Sequence, residues 1–176
     1  IEQTRIGDIL AKTQQQFKFA DLAQLSQGMV YGISAGKGAG QKLLDIAGAV
    51  GMLNNLGIKG SMAGTTYAAM LREMEGAATK LHFAIVRDVA GNMDLIPTLK
   101  NLRTMYGDKM HLPEVKEAFQ EAFGDEGKKG LILMLQRLDD FEQQMRNLQG
   151  YDGAIEIAFN VVDKTGTVQK AARANA

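Results

Sequence analysis

The sequence predicts an all-α protein, a compact multi-helix domain of six or seven short helices. Three observations favour this fold class. Only two prolines occur among 176 residues, so little of the chain is barred from helix. Apolar residues recur at spacings of three and four, which is the period of a helix with one buried face. The 20 glycines are expected to act mainly as breaks between these helices.

The first predicted helices lie on either side of a glycine-rich break at residues 36–40. Residues 1–19 are polar and glutamine-rich, and we expect a helix there that frays at its edges. Asp21 is the expected cap of the next helix. Its apolar stripe consists of Leu22, Leu25, Met29 and Ile33. Beyond the break, a further helix has one apolar face: Leu43, Ile46, Ala47, Val50 and Leu53.

Residues 54–65 predict a turn between two helices. Gly57 is expected to end the first helix in the left-handed conformation, with Ile58 packing back on the last turn. Ser61 is the expected N-cap of the second helix. The second helix combines long side chains with small ones: Met62, Thr66, Met70 and Met74, with Ala63, Gly64, Ala68 and Ala69. Because small residues let helices approach closely, residues 41–75 are predicted to form a tight helical hairpin.

Residues 83–93 interrupt the helical rhythm, and a turn at residues 88–92 admits a small two-stranded ribbon. Asp94 is the expected cap of the helix that follows, in which Pro97 is tolerated because it falls in the first turn. The predicted buried stripe of this helix is Ile96, Leu99, Leu102 and Met105.

The last third of the chain predicts three helices. Pro113 opens a short one that Gly124 closes, with Val115, Ala118, Phe119 and Ala122 facing inward. Asp125 is expected to start the longest helix, which runs to Gly150 with this inner face: Leu131, Leu135, Leu138, Phe141, Met145 and Leu148. A final helix from Gly153 has Ile157, Phe159, Val161 and Val162.

We expect residues 1–176 to be a single domain of a longer protein, because the sequence does not begin with methionine. The alanine-, lysine- and arginine-rich residues 163–176 are then its junction with the rest of the parent chain.

Composition excludes several classes of function. The chain has no cysteine, so disulfides, thiolate zinc sites and cysteine nucleophiles are ruled out. Twenty basic side chains balance twenty acidic ones, which gives no general attraction for nucleic acid or anionic membrane. The longest apolar region, residues 43–58, is interrupted by Asp45, Asn54 and Asn55 and is shorter than the ~20 residues of a membrane span.

Motifs for phosphate binding or nucleophilic catalysis are incomplete. The glycines of residues 32–40 match neither the Walker spacing nor the dinucleotide-binding spacing. Ser61 resembles the nucleophile of a hydrolase elbow, but Lys59 occupies the position of the first glycine. His82 and His111 lack the spacing of a helical metal site and are expected at the surface or the edge of the core.

Two groups of carboxylates could suggest hydrolysis of sugars. Glu117 and Glu121 share one helical face beside Lys116, which is typical of a solvated surface. A second group, Asp139, Asp140 and Glu142, brackets an inward-facing Phe141. The sequence therefore predicts no catalytic, cofactor-binding or metal-binding residues, and a protein that is not an enzyme.

One segment resembles a known family. It comprises Asn55 and the run Gly57, Ile58, Lys59, Gly60, Ser61, Met62, Ala63, Gly64 and Thr65. This run is similar to the signature of the conserved core region of phage tail tape measure proteins. Later stretches agree in order: Leu71-Arg72-Glu73-Met74, Gly91-Asn92-Met93, Ile96-Pro97-Thr98-Leu99 and Ala122-Phe123-Gly124-Asp125-Glu126. The resemblance covers residues 20–160.

The resemblance implies a structural virion component that acts in tail assembly and tail length determination and occupies the tail-tube lumen during genome delivery. It implies the host cytoplasm as the location during assembly, tail-tube proteins and assembly chaperones as partners, and self-association. It implies neither a cofactor nor direct nucleic-acid binding. The glycine breaks indicate a compact domain attached to the length-setting part of the tape measure protein. Two alternatives remain open, namely a cell-wall hydrolase and a membrane-active segment at residues 41–75 that aids genome ejection.

Overall fold

A computed structural model of the chain describes residues 22–149, which form six α-helices. They are α1 (Leu22–Gly38), α2 (Leu43–Asn55), α3 (Ser61–Leu81), α4 (Leu95–Tyr106), α5 (Pro113–Gln136) and α6 (Leu138–Gln149), with a 3₁₀ turn at Gly107–Lys109. Residues 22–149 contain no β-strand, and the predicted all-α class is confirmed. The helices predicted at residues 1–19 and from Gly153, and the junction at 163–176, lie outside the described residues.

Helix α3 is central to the fold, because it packs against both α1 and α5. Its inward face includes Tyr67, Met70 and Met74, which are fully buried. Helix α2 packs against α1, α3 and α6, while α4 packs against α5 and α6. The predicted hairpin is correct in that α2 and α3 are in contact. However, the small residue Gly64 of α3 makes its close approach to α1 and not to α2.

Helix α1 continues through the predicted break and ends at Gly38, so the break at residues 36–40 was predicted too early. The turn itself begins at Ala39. Gly40 has φ 71° and donates its N–H to the Lys37 carbonyl, while Gln41 donates to the Gly36 carbonyl at 2.8 Å. This is a Schellman ending, in which a left-handed glycine satisfies the last carbonyls of the helix.

The predicted ribbon at residues 83–93 is reduced to one antiparallel bridge between Arg87 and Met93. Asp88 accounts for the tight loop between them. Its carboxylate accepts the N–H groups of Ala90 and Asn92, each at 2.9 Å. These bonds satisfy the loop backbone locally, so a longer ladder is not needed.

The buried stripe of α4 lies on Leu95, Thr98, Leu99 and Leu102, whereas Met105 of the predicted stripe is 40% exposed and Ile96 is half-buried. Thr98 explains why the buried face of α4 is rotated relative to the predicted one. Its hydroxyl donates to the Asp94 carbonyl at 2.7 Å and accepts the Val86 N–H at 3.0 Å, which draws this polar residue inward. Asp94 occupies the N-cap as predicted, but its side chain makes no capping hydrogen bond.

The prediction of one long helix from Asp125 to Gly150 is wrong. Helix α5 begins at Pro113, is kinked at Gly124 (φ 67°, ψ 178°) and ends at Gln136. Arg137 then departs from helical geometry with φ −120° and ψ 28°, and α6 starts one residue later. The change of direction lets the buried face of α6 pack against α2 and α4.

Candidate functional site

Residues 55–65, the segment singled out in the sequence, connect α2 to α3. Gly57 adopts φ 96° and donates its N–H to the Asn54 carbonyl at 3.1 Å, while Ile58 donates to the Leu53 carbonyl at 2.9 Å. Ile58 and Leu53 are both buried. The pattern is a Schellman motif with its apolar residue directed inward. The predicted roles of Gly57 and Ile58 are confirmed.

The start of α3 differs from the prediction. Gly60, with φ 58° and ψ −134°, is the N-cap, and no side chain makes a capping hydrogen bond there. Ser61 is the first helical residue and is exposed, so its predicted role as N-cap is wrong. The reason is Gly60 itself, because its positive φ turns the chain one residue earlier than a serine cap would. Thr65 bonds locally, with its hydroxyl donating to the Met62 carbonyl at 3.2 Å.

The inner side of the segment rests on α1. A Cβ added to Gly64 would collide with the carbonyl oxygen of Gly28, and one added to Gly28 would lie 2.9 Å from the carbonyl oxygen of Gly60. Ala63, which lies between Gly60 and Gly64 in the sequence, is fully buried. The two backbones therefore meet directly, and only glycine fits at Gly28 and Gly64.

The outer side of the segment faces solvent among the described residues. Lys59, Ser61 and Met62 are exposed, and Met62 retains 56% of its accessible surface. On α1, Tyr31 is 51% exposed, and its Cβ would lie 3.0 Å from a Cβ placed on Gly64. The segment therefore combines a glycine-mediated inner contact with the exposed Met62, and the exposed Tyr31 of α1 lies near Gly64. We call Tyr31 and Met62 the turn patch.

Two further glycines continue the close contact along α1. Gly32 leaves room for Val50, whose Cγ2 would lie 2.9 Å from an added Cβ, and an added Cβ on Gly36 would collide with Ile46. Expecting the glycines to be mainly breaks between helices missed this role. The available signal was the spacing, since Gly28, Gly32 and Gly36 are four residues apart and share one helical face.

Next to this glycine face lies Tyr67, a fully buried side chain of α3. Its ring edge would lie 3.5 Å from a Cβ on Gly36, and its hydroxyl has no hydrogen-bond partner. Burial, reinforced by the nearby Asp45, raises the pKa of the Tyr67 hydroxyl far above its ordinary value. The neutral phenol is therefore held in the apolar interior.

Comparison with known proteins shows the family of the chain. A family model described as phage-related minor tail protein matches residues 2–176. The chain belongs to this family. The predicted resemblance to the tape measure and minor tail protein family is thereby confirmed for the chain. As a phage-related minor tail protein, the chain is a structural component of the phage tail and hence of the virion.

A probable tape measure protein of Escherichia phage P2 is 28% identical to the chain over 138 residues. The alignment covers 74% of the chain and 17% of the P2 protein, so the chain spans less than a fifth of the length of that relative. No solved structure matches.

In this minor tail protein, the acidic groups near Phe141 form ion pairs. Asp139 bonds to Arg103 at 2.9 Å and Glu142 to Lys100 at 2.6 Å. The hydrogen bonds from Arg103 and Lys100 lower the pKa values of Asp139 and Glu142. A catalytic general acid needs a raised pKa, so these pairs tie α6 to α4 and are not arranged for proton donation.

The remaining candidates for catalysis lie apart. Glu117 and Glu121 are exposed on α5, and both histidines are exposed. His82 ends α3 in the left-handed conformation with φ 57°, which makes it a helix cap. Within residues 22–149, no group of carboxylates and histidines is placed to hold a metal ion, and no helix is long and apolar enough to cross a membrane.

Proposed function

We propose that this minor tail protein chain is a compact docking module of a tape measure protein, which acts in tail assembly and tail length determination within the tail-tube lumen. In this proposal the module anchors the length-setting part of the parent protein and does not itself set length. Tail-tube proteins and assembly chaperones are its expected partners. Self-association is expected too, with the host cytoplasm as the location before the tail is complete.

The observation that carries the proposal is the folding of the helices back on one another. A helix rises 1.5 Å per residue, so residues 22–149 as one continuous helix would span ~190 Å. The longest helix, α5, has 24 residues and spans only ~36 Å before accounting for its kink. Because α3 packs on both α1 and α5, the length of the module is not proportional to its number of residues.

Exposed apolar side chains at the signature segment support a docking role. Tyr31 and Met62 of the turn patch are each about half exposed, although large apolar residues are normally enriched in the interior. The nearby glycine contacts hold the segment on α1, so both side chains are presented on a fixed backbone. A fixed apolar surface loses little conformational entropy on binding.

The test is an in-frame deletion of residues 22–149 in the phage or prophage that encodes the chain, with tail length measured by electron microscopy. We expect tails to be absent or aberrant, because the anchor is lost. Normal tails shortened by ~190 Å would show that these residues set length as a continuous helix, and would overturn the proposal.

A point variant separates docking from folding. Met62→Lys places a charge on the turn patch and is expected to reduce incorporation of the parent protein into tails while the domain stays folded. Val89→Lys is the matched control, since Val89 is fully exposed on the loop between α3 and α4 and away from the segment. Equal incorporation of both variants would count against the turn patch as the docking surface.

A further inference from the structure

A second surface, next to the 3₁₀ turn at Gly107–Lys109, differs in chemistry from the turn patch. A cleft of about 470 Å³ lies between residues 107–111, which follow α4, and the two halves of α5. Its ionisable lining side chains are all basic: the positively charged Lys116 and Lys128, together with His111. Met110 and Ile132 provide its apolar walls, and Gly107 and Gln136 complete it. We call this the basic cleft.

The fold brings these basic side chains together from separate parts of the chain. His111 follows the 3₁₀ turn, Lys116 lies in the first turn of α5, and Lys128 lies beyond the kink at Gly124. The kink redirects the second half of α5, so that Lys128 and Lys116 line the same cleft although twelve residues apart. A basic cluster assembled in this way is not visible as a charge run in the sequence.

Within residues 22–149, no carboxylate pairs with any of the three side chains. Other cations of the same region do find partners, as Arg103 does with Asp139 and Lys100 with Glu142. Like charges gathered in one cleft repel one another, and an anion that enters the cleft relieves this repulsion. The basic cleft is therefore a site of unmet charge in a chain whose net charge is zero.

We propose that the basic cleft binds an acidic, amphipathic segment of a partner protein, with carboxylates on His111, Lys116 and Lys128 and apolar side chains against Met110 and Ile132. The flanking charges favour this ligand over nucleic acid. Asp108, Glu114 and Glu117 are exposed close in sequence to the cleft-lining residues and would repel a continuous phosphate backbone. A segment with a few separated carboxylates avoids that repulsion, and its apolar residues use walls that a sugar-phosphate chain would leave unused. This site is independent of the docking role proposed for the turn patch.

The test uses a fluorescein-labelled amphipathic peptide composed of Glu and Leu residues. Its binding to the full 176-residue chain is measured by fluorescence anisotropy. The same peptide with Gln for Glu and a labelled DNA duplex are the comparison probes. We expect binding of the Glu peptide only, with a dissociation constant that rises about tenfold or more in the double variant Lys116→Gln, Lys128→Gln.

The matched control is the double variant Lys109→Gln, Lys129→Gln. It removes the same charge from exposed neighbours of the cleft residues, neither of which lines the cleft. Binding of the Glu peptide to this variant should be nearly unchanged. An equal loss in both double variants would reduce the effect to general electrostatics, and tighter binding of the DNA duplex would assign the cleft to nucleic acid. Either result, or no binding of the Glu peptide, overturns the proposal, whatever becomes of tail assembly.

Discussion

Gly64 of α3 faces the carbonyl oxygen of Gly28 of α1 so closely that a Cβ on Gly64 would collide with it. The contact joins two backbones, and it lies in the first turn of α3, within three residues of the exposed Ser61 and Met62. The position of the signature segment on the domain is therefore set by main-chain atoms. The effect of this contact on the free energy of unfolding can be measured directly.

Gly64→Ala should destabilise the domain by about 2 kcal/mol. Overpacking a tight contact costs about 1–3 kcal/mol, and the atom it meets here is backbone that cannot rotate away. Higher helix propensity returns up to about 1 kcal/mol. Urea denaturation followed by circular dichroism measures the difference. The control is Gly76→Ala in the same helix, where a Cβ meets nothing within 4 Å and stability should rise. A stable Gly64→Ala variant would contradict the close contact.

Tyr67→Phe should leave stability unchanged or raise it by about 1 kcal/mol, because it removes a buried hydroxyl that has no partner. The pH dependence follows from the raised pKa of Tyr67. The unfolded phenol ionises near pH 10 while the folded one stays neutral, so the stability present below pH 10 is lost as the pH rises further, by up to about 1.4 kcal/mol per pH unit.

Denaturation series at increasing alkaline pH measure this slope in the unsubstituted chain and in Tyr67→Phe. The variant should lose less stability between pH 10 and 11. Identical slopes would show that Tyr67 ionises freely in the folded chain, and a marked loss of stability in the variant at neutral pH would show that its hydroxyl has a partner.

His82→Gly should stabilise the domain by about 1 kcal/mol. His82 is the only non-glycine residue with positive φ within residues 22–149, and this conformation strains a side chain with a Cβ. Thermal unfolding measures the gain. Ala78→Gly, one turn earlier in α3, is the contrasting change and should cost about 1 kcal/mol because its backbone is helical. Destabilisation by both variants would mean that His82 makes contacts that outweigh its strain.

Asp88→Ala should loosen the loop between α3 and α4 without unfolding the helices. The backbone N–H groups of Asn92 and Ala90 donate to the Asp88 carboxylate and lower its pKa. This contribution is therefore present above the unfolded pKa of about 4 and is lost as the pH falls through the lower folded value.

Hydrogen exchange of the Ala90 and Asn92 amides measures the effect, as reduced protection in Asp88→Ala at neutral pH and in the unsubstituted chain at low pH. Asp94→Ala is the control, because the Asp94 side chain caps nothing. Unchanged protection at Ala90 and Asn92 in Asp88→Ala would refute the assigned hydrogen bonds.

Local signals predicted those parts of the fold that depend on backbone chemistry. Gly57 with Ile58 and the opening proline Pro113 define helix boundaries by φ values and missing donors, which a sequence shows directly. A helix break at Gly124 was predicted for the same reason, and the structure has a kink there. The bend at Arg137 has neither glycine nor proline, because it arises from packing α6 on α2 and α4.

The candidate sites were less accessible to sequence reasoning. The segment at residues 55–65 was found by resemblance, but Ser61 was assigned a cap that Gly60 supplies. The glycines of α1 looked like breaks, because a glycine that admits a neighbouring helix is identical in sequence to one that ends its own. The basic cleft could not be seen at all, since the kink in α5 is what brings Lys116 and Lys128 to one surface.

The contact between Gly28 and Gly64 also limits how this protein can recover from mutation. A larger residue at Gly36 meets the side chain of Ile46, so a second change that shortens Ile46 could suppress the first. No such suppressor exists for Gly64, because its neighbour Gly28 is already the smallest residue and the colliding atom belongs to the main chain. Revertants of a Gly64 variant should therefore restore glycine itself, whereas revertants of a Gly36 variant should include second-site changes in α2.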